Sequence, residues 1–283
     1  MSAALIDGKK LARMVLSDIH SSLKKYQTFI APGLATIIVG SDSASELYVA
    51  NKIKAAKKIG INSFHYSLKN NVSENQVLDL IEKLNEDERV DGILVQLPLP
   101  QEINRGVIIE AIDPKKDVDG FHPLNLGALA SGDPKIIPCT PRGILEIIRS
   151  TNTPIIGKHV VIVGKSITVG MPLALLLLLK GGTVSITHKQ TVDLFSFTKQ
   201  ADILIVAAGS PHLINKNAIK KGAVVIDVGI NRNKEGAILG DVDFSSAKEV
   251  ASYITPVPGG VGPMTIAMLM QNTFECFQKN RRS

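Results

Sequence analysis

Short β-branched and aliphatic runs alternate with longer amphipathic stretches along most of the chain. Leu34-Ala-Thr-Ile-Ile-Val39 reads as a buried strand, and Ala44–Ile59 reads as a helix closed by Gly60 just past its end. Ser63–Leu68 is the next strand. Ser73-Glu-Asn-Gln76 forms a capping box that opens another helix, and Gly92-Ile-Leu-Val-Gln-Leu97 follows as a buried strand. Strands separated by helices of this length predict a parallel sheet with right-handed crossovers.

The alternation breaks over Asp113–Pro141, where Gly, Pro and Asp accumulate, and the expectation is one long structured loop between domains. It restarts at His159-Val-Val-Ile-Val163. A helix over Pro172–Lys180 follows, with proline in its first turn and Gly181 past its end, and then strands at Thr183–Thr187, Asp202–Ala207 and Ala223–Val228. The last helix, Met264–Gln278, is expected to pack back on the first domain.

At 283 residues the chain has the length for two ordinary domains, each burying its own core. A 45% hydrophobic content with 20% charged residues describes a globular protein, and the lack of tryptophan makes those cores aliphatic. Cys139 and Cys276 offer neither metal-ligand spacing nor a disulfide framework, which suits a reducing cytosol and predicts a cytoplasmic location. Charges interrupt every apolar run of the N-terminal stretch, so it reads as neither signal nor anchor. Pro172–Leu179, the longest apolar run, falls far short of the roughly 18 residues of a membrane span. A net charge of +6 raises the question of nucleic acid, but the lysines are scattered and no nucleic-acid-binding motif accompanies them. They read either as a solvated surface or as cations that meet an anionic cofactor or polycarboxylate substrate.

Two segments carry candidate chemistry. Gly164-Lys-Ser-Ile-Thr-Val-Gly170 joins a strand to a helix, where free backbone N–H groups and the positive helix end suit a phosphate. Its spacing is wider than G-x-G-x-x-G, so alone it is a weak dinucleotide signal; the four parallel strands predicted around it strengthen the reading. It also lacks the pattern of a phosphate-transferring P-loop. The second segment is the helix around Lys52. At about 100° per residue, Ser45, Tyr48, Val49, Lys52, Ala55, Ala56 and Ile59 share one stripe, while Lys54, Lys57 and Lys58 lie elsewhere. Lys52 either snorkels past its neighbours to water or is a desolvated amine of lowered pKa beside a phenol, a good proton-transfer group near neutral pH.

Several motifs, in order and spread over nearly the whole chain, resemble one family. They are Ser45-x-x-Tyr48-x-x-x-Lys52, Val95-Gln-Leu-Pro-Leu-Pro100, Lys116-Asp-Val-Asp-Gly120, Pro138-Cys-Thr-Pro141, Gly240-Asp-Val-Asp-Phe244 and Pro256-Val-Pro-Gly-Gly-Val-Gly-Pro-Met-Thr265. The family is the bifunctional methylenetetrahydrofolate dehydrogenase/methenyltetrahydrofolate cyclohydrolases of one-carbon metabolism, which feeds purine biosynthesis. The resemblance implies an α/β protein of two domains around a cleft: a folate-binding catalytic domain (1–139 with helix 264–283) and a Rossmann-like dinucleotide domain (140–263). Lys52 resembles the catalytic lysine, Tyr48 the residue that stacks on folate, and Gln96 the partner that positions the lysine. Asp119 resembles the carboxylate that grips the pterin, with Ser45, Gly259 and Gly260 also on the substrate side. Gly164, Lys165, Ser166, Gly170, Lys189 and Ile230 fall on the dinucleotide side.

Two departures bear on the cofactor. Lys165 stands where the family has arginine in Gly-Arg-Ser-x-x-Val-Gly, and Thr187-His-Lys189 stands where Cys-His-Ser is frequent. Lysine offers a point charge in place of a bidentate fork, and two lysines still suit the ribose phosphate of NADP, which is favoured over NAD. The resemblance further implies oxidation of 5,10-methylenetetrahydrofolate and hydrolysis of the methenyl product, in a homodimer that the segment Arg232–Phe244 could bridge as a hairpin; no metal-ligand set is visible in the sequence, and none is expected. A shikimate-type dehydrogenase is the nearest enzymatic rival, and the Gln-Leu-Pro-Leu-Pro and Pro-Gly-Gly-Val-Gly-Pro motifs speak against it.

Overall fold

The computed structural model describes residues 2–26, 31–40, 43–233 and 235–280, with the backbone alone for 43–47. In chain order the elements begin with β1 (Ala4–Leu5), α1 (Gly8–Lys25), β2 (Gly33–Val39), α2 (Ser43–Ile59), β3 (Asn62–Leu68), α3 (Glu74–Glu86) and β4 (Gly92–Val95). Then come α4 (Arg105–Glu110), α5 (Pro123–Ala130), α6 (Cys139–Ser150), β5 (His159–Val163), α7 (Gly170–Leu179), β6 (Thr183–Thr187), α8 (Leu194–Thr198) and β7 (Ile203–Val206). The chain ends with β8 (Val224–Asp227), β9 (Asn231–Arg232), β10 (Ile238–Leu239), α9 (Phe244–Ala247), β11 (Tyr253–Ile254) and α10 (Val261–Asn280).

These elements divide into two compact α/β units, the first comprising Arg13–Cys139 and Ile266–Ser283, the second Met1–Ala12 and Thr140–Thr265. In the first unit, β2 lies between β3 and β4, all parallel, with Ile37 opposite both Tyr66 and Val95. Helix α3 opens on the expected capping box: Gln76 N donates to Ser73 Oγ at 3.3 Å, and Ser73 N donates to Gln76 Oε1 at 3.1 Å. Such a cap stabilises a helix by about 1 kcal/mol. Its apolar stripe, Val77, Ile81 and Leu84, packs on Ala35, Ile37 and Ile93 of the sheet. Strand β4 stops at Val95, two residues earlier than expected. Gln96 N still donates to Ile37 O at 2.8 Å, but Pro98 has no N–H with which to carry the ladder on.

In the second unit the sheet order is β1-β11-β8-β7-β5-β6, and every pairing is parallel. Strands β7 and β8 are buried along their whole length, as parallel strands covered on both faces must be. Val161, Val163, Leu204, Val206, Val225 and Ile254 form the centre of its aliphatic core. From β5 the chain passes first to β6 on one side and then to β7 on the other, which is Rossmann-like.

Two expectations need correction. Residues 1–12 belong with the second unit, because β1 pairs with β11 (Ala4 opposite Tyr253), a contact between distant parts of the chain. Asp113–Pro141 is not one loop: α5 forms within it, with Pro123 in its first turn and His122 Nδ1 accepting from Leu124 N at 3.1 Å, and α6 begins at Cys139. The expected terminal helix is α10, and Asn272 on it donates through Nδ2 to Val118 O (2.8 Å) and Ile137 O (2.9 Å) within the first unit. Among the described residues, no helix is long and apolar enough to cross a membrane.

Candidate functional site

Helix α2 buries Val49, Ala56 and Ile59 on the stripe that its sequence predicts, and Lys52 is buried with them at 6% exposure, while Lys54, Lys57 and Lys58 are exposed. A long amine at that position cannot reach bulk water. It donates instead to Gln96 Oε1 at 2.9 Å, and Gln96 Nε2 donates to Leu97 O at 2.7 Å, so the amide is fixed at both ends. The Tyr48 ring centroid lies 5.2 Å from Lys52 Nζ. Burial pulls the Lys52 pKa below its ordinary value, with Asp119 and Cys139 pulling it partly back. Ser45 lies on α2, and its side chain is outside the described residues.

Each residue of Lys116-Asp-Val-Asp-Gly120 has separate work. Lys116 Nζ donates to the carbonyls of Leu84 (3.1 Å), Asn85 (2.6 Å) and Asp87 (3.0 Å), closing the carbonyl end of α3. Asp117 accepts from Gly120 N (3.0 Å), His122 N (2.8 Å) and Asn125 Nδ2 (2.9 Å), which folds the following turn. Val118 is fully buried. Asp119 is thereby presented to Lys52 while Asp117 is consumed in structure. Burial pushes the Asp119 carboxyl up to about 6, against the opposing charge of Lys52.

Two members of this cluster were not found from the sequence. The Cys139 thiol lies within hydrogen-bonding reach of Val118 O (3.2 Å) and of the Asp119 carboxylate, and burial lifts its pKa well above the ordinary thiol value. It is therefore a neutral group that steadies Asp119, not a nucleophile. Arg105 sits in the first turn of α4 with its Cζ 5.8 Å from the Phe121 ring centroid; its Nε and Nη2 are buried without a hydrogen-bond partner, and its charge lowers the Asp119 pKa. A cation at the N-terminus of α4 runs against the helix dipole, and because the sequence gives no sign of α4 itself, no local signal marks Arg105.

The remaining candidates lie in the second unit. Gly164 has φ +127°, and a side chain there would collide with the Ala207 carbonyl, so only glycine permits this turn. Ser166 Oγ accepts from Val169 N at 3.2 Å, which shapes the turn into α7. Lys165 and Lys189 are exposed at the carboxyl ends of β5 and β6, whose last residues, Val163 and Thr187, are paired. Ile230, 60% exposed, follows β8. The turn and the helix N-terminus behind it fit a dinucleotide's phosphates, and the exposed lysines fit an additional one. Gly259 (φ +115°) and Gly260 precede α10, where Gly260 packs against Thr255. Among the described residues, no group of His, Cys, Asp or Glu is placed to hold a metal ion.

Residues 6–119 match the family model of the tetrahydrofolate dehydrogenase/cyclohydrolase catalytic domain, and residues 138–281 match that of the tetrahydrofolate dehydrogenase/cyclohydrolase NAD(P)-binding domain. The chain is 52% identical over 276 residues to the bifunctional protein FolD of Acetivibrio thermocellus, covering 96% of each chain. It superimposes on the crystal structure of the bifunctional FolD methylenetetrahydrofolate dehydrogenase/cyclohydrolase from Campylobacter jejuni with a TM-score of 0.95, at 46% identity, over 98% of this chain and 99% of the other. The Trypanosoma brucei N5,N10-methylenetetrahydrofolate dehydrogenase-cyclohydrolase, solved with NADP and an inhibitor, gives a TM-score of 0.96 at 37% identity over the full length of both. The chain belongs to the tetrahydrofolate dehydrogenase/cyclohydrolase family.

Proposed function

We propose that this enzyme oxidises 5,10-methylenetetrahydrofolate with NADP and hydrolyses the resulting methenyl cation to 10-formyltetrahydrofolate, with Lys52 as the proton-handling group. The observation that carries the assignment to Lys52 is its burial at 6% exposure against an uncharged partner, Gln96 Oε1, at 2.9 Å.

The dinucleotide, when bound, supplies the hydride acceptor, and Gly164, Ser166 and Gly170 would hold its phosphates, with Lys165, Lys189 and Ile230 toward its nucleoside ends. The protein's own residues do the rest. Asp119, ionised above about 6, accepts from adjacent N–H groups of the pterin, while Tyr48 stacks on the folate. Ser45, Gly259 and Gly260 complete the substrate contacts. Loss of hydride leaves positive charge on the folate, which by like-charge repulsion favours the neutral form of an amine already depressed by burial. Neutral Lys52, its hydrogen aimed at Gln96, then takes the proton of the attacking water.

The same reading includes a homodimer in the cytoplasm. Leu178 (59% exposed) and Leu179 on α7 and Ile186 on the edge strand β6 leave an apolar surface that a second copy would cover. The hairpin β9–β10 overlaps the segment Arg232–Phe244 and supports that segment as the bridge. Both cysteines are free and buried, as in a reducing compartment.

A spectrophotometric assay with methylenetetrahydrofolate and each dinucleotide, following methenyl formation and its decay, tests the function. Turnover with NADP well above that with NAD, followed by hydrolysis, is expected; turnover with neither dinucleotide contradicts the reading.

A further inference from the structure

The segment Gly240-Asp-Val-Asp-Phe244 has no part in the chemistry above, yet it contains a carboxylate that accepts four hydrogen bonds. Asp241 is fully buried. Its Oδ2 accepts from Ala208 N (2.7 Å) and Gly209 N (2.9 Å), and its Oδ1 accepts from Ser210 N (2.9 Å) and Asn231 Nδ2 (2.8 Å). Three successive amides converging on one anion form a nest, an arrangement that otherwise attracts phosphate.

The position of that nest gives it meaning. In an open α/β sheet, ligands bind outside the carboxyl ends of the strands where the strand order reverses, here between β5 and β7. The turn Ala207–Ser210 follows β7, and the Gly164 turn follows β5. The two turns touch: Ala207 N donates to Val163 O at 2.8 Å, and the Ala207 carbonyl fills the space where a Gly164 side chain would stand. Asn231, the fourth donor to Asp241, adjoins the exposed Ile230. One carboxylate therefore ties together the turn after β7 and the segment after β8.

Asp241 is itself held by a second buried carboxylate. Asp227, at the end of β8, accepts from Gly229 N (2.9 Å) and Asp241 N (3.0 Å) through Oδ1 and from Val242 N (2.9 Å) through Oδ2. A Cβ on Gly240 would collide with Asp227, so glycine is required there for this approach. The pair forms a brace: Asp227 fixes the backbone of Asp241, and the side chain of Asp241 fixes the turn.

We infer that Asp241 is a positioning residue for dinucleotide binding: it fills the nest after β7, leaving phosphate to the Gly164–Gly170 turn, and holds Ala208–Ser210 and the Ile230 segment in their dinucleotide-receiving shape. This rests on the reading that the second unit binds the dinucleotide at the carboxyl ends of β5 and β7. Hydrolysis of the methenyl folate, which uses Lys52 and needs no dinucleotide, is independent of it.

Asp241→Asn places an amide donor opposite backbone donors and opens the clamp. Titration of NADPH by its fluorescence should give a Kd raised by at least roughly 10-fold, the order of loss expected when a positioning group is displaced. The KM for NADP should rise in parallel, kcat should change much less, and hydrolysis of added methenyltetrahydrofolate without dinucleotide should stay near wild type. Asn231→Ala, which removes one of the four donors, should shift the Kd in the same direction by less, and it carries the test if Asp241→Asn does not fold. An unchanged Kd overturns the inference, as does a parallel loss of hydrolysis, which would mark Asp241 as a general support of the fold. Failure of the wild-type enzyme to bind NADPH would instead overturn the underlying assignment of the dinucleotide site.

Discussion

Lys52 Nζ donates to Gln96 Oε1 at 2.9 Å across 44 positions of sequence. The pair forms because β4 runs parallel to β2 and delivers Gln96 to the carboxyl end of the sheet, beside the helix that follows β2. The identity of the partner matters as much as the distance. A glutamine oxygen orients the amine without adding negative charge, so burial still dominates and the pKa stays depressed. A carboxylate in that place would lock the lysine as a cation.

Gln96→Glu makes that replacement with little change of shape. The Lys52 pKa should rise, and with the neutral amine as the proposed active form, cyclohydrolase activity near pH 7.5 should fall by at least roughly 10²-fold, the lower range for losing an acid–base group. In the wild type the hydrolysis rate should climb with pH and level off below the ordinary lysine value of 10.5; in the variant the climb should move to higher pH. Parallel pH–rate profiles check this.

Asp119 illustrates a cost in stability. Its carboxyl is raised from 3.8 to about 6, so the folded state binds the proton more tightly than the unfolded chain does. The favourable contribution is fully present below 3.8 and is lost as pH rises through about 6. Asp119→Asn removes this dependence. Its melting temperature relative to wild type should therefore increase between about pH 4 and 7, while folate affinity falls by roughly 10-fold or more as a charge-assisted acceptor is lost. Thermal melts against pH and a folate titration measure both. NADPH binding should stay unchanged.

Lys165 and Lys189 are exposed, so each contributes modestly to anion binding, about 0.5–1 kcal/mol at ordinary ionic strength. Replacing both with alanine should weaken NADP by roughly 10-fold and leave NAD nearly unaffected, because only NADP carries the additional phosphate. The difference should shrink in high salt. Equal losses for the two dinucleotides would show that these lysines do not read that phosphate.

The parts of the fold and site legible in the sequence were those with a local period or a local cap. The stripe on α2 separated Lys52 from its solvated neighbours because a helix repeats every 3.6 residues, and Ser73 and Gln76 announced the start of α3 because a capping box lies within one turn. The rest depends on contacts between distant residues. Nothing near Ala4 indicates that it pairs with Tyr253, and nothing near Arg105 indicates that its guanidinium lies beside Asp119. Within Asp117-Val-Asp119, the family resemblance singles out Asp119, but its physical reason is not local: the fold shows that Asp117 binds its own turn and Asp119 faces the lysine. Helix α5 was hidden by composition, since the Gly- and Pro-rich flanks outweighed its eight residues.

The role proposed for Lys52 is to handle the proton in hydrolysis and not in hydride transfer. Lys52→Met keeps the apolar packing on α2 while deleting the amine, and circular dichroism checks that the variant folds. Side-by-side kinetics of the two reactions on that variant are the most direct measurement. Cyclohydrolase activity should fall by at least roughly 10²-fold, and dehydrogenase activity should fall less, by the amount that lost contacts to folate account for. Hydrolysis of methenyltetrahydrofolate at near the wild-type rate would contradict the account.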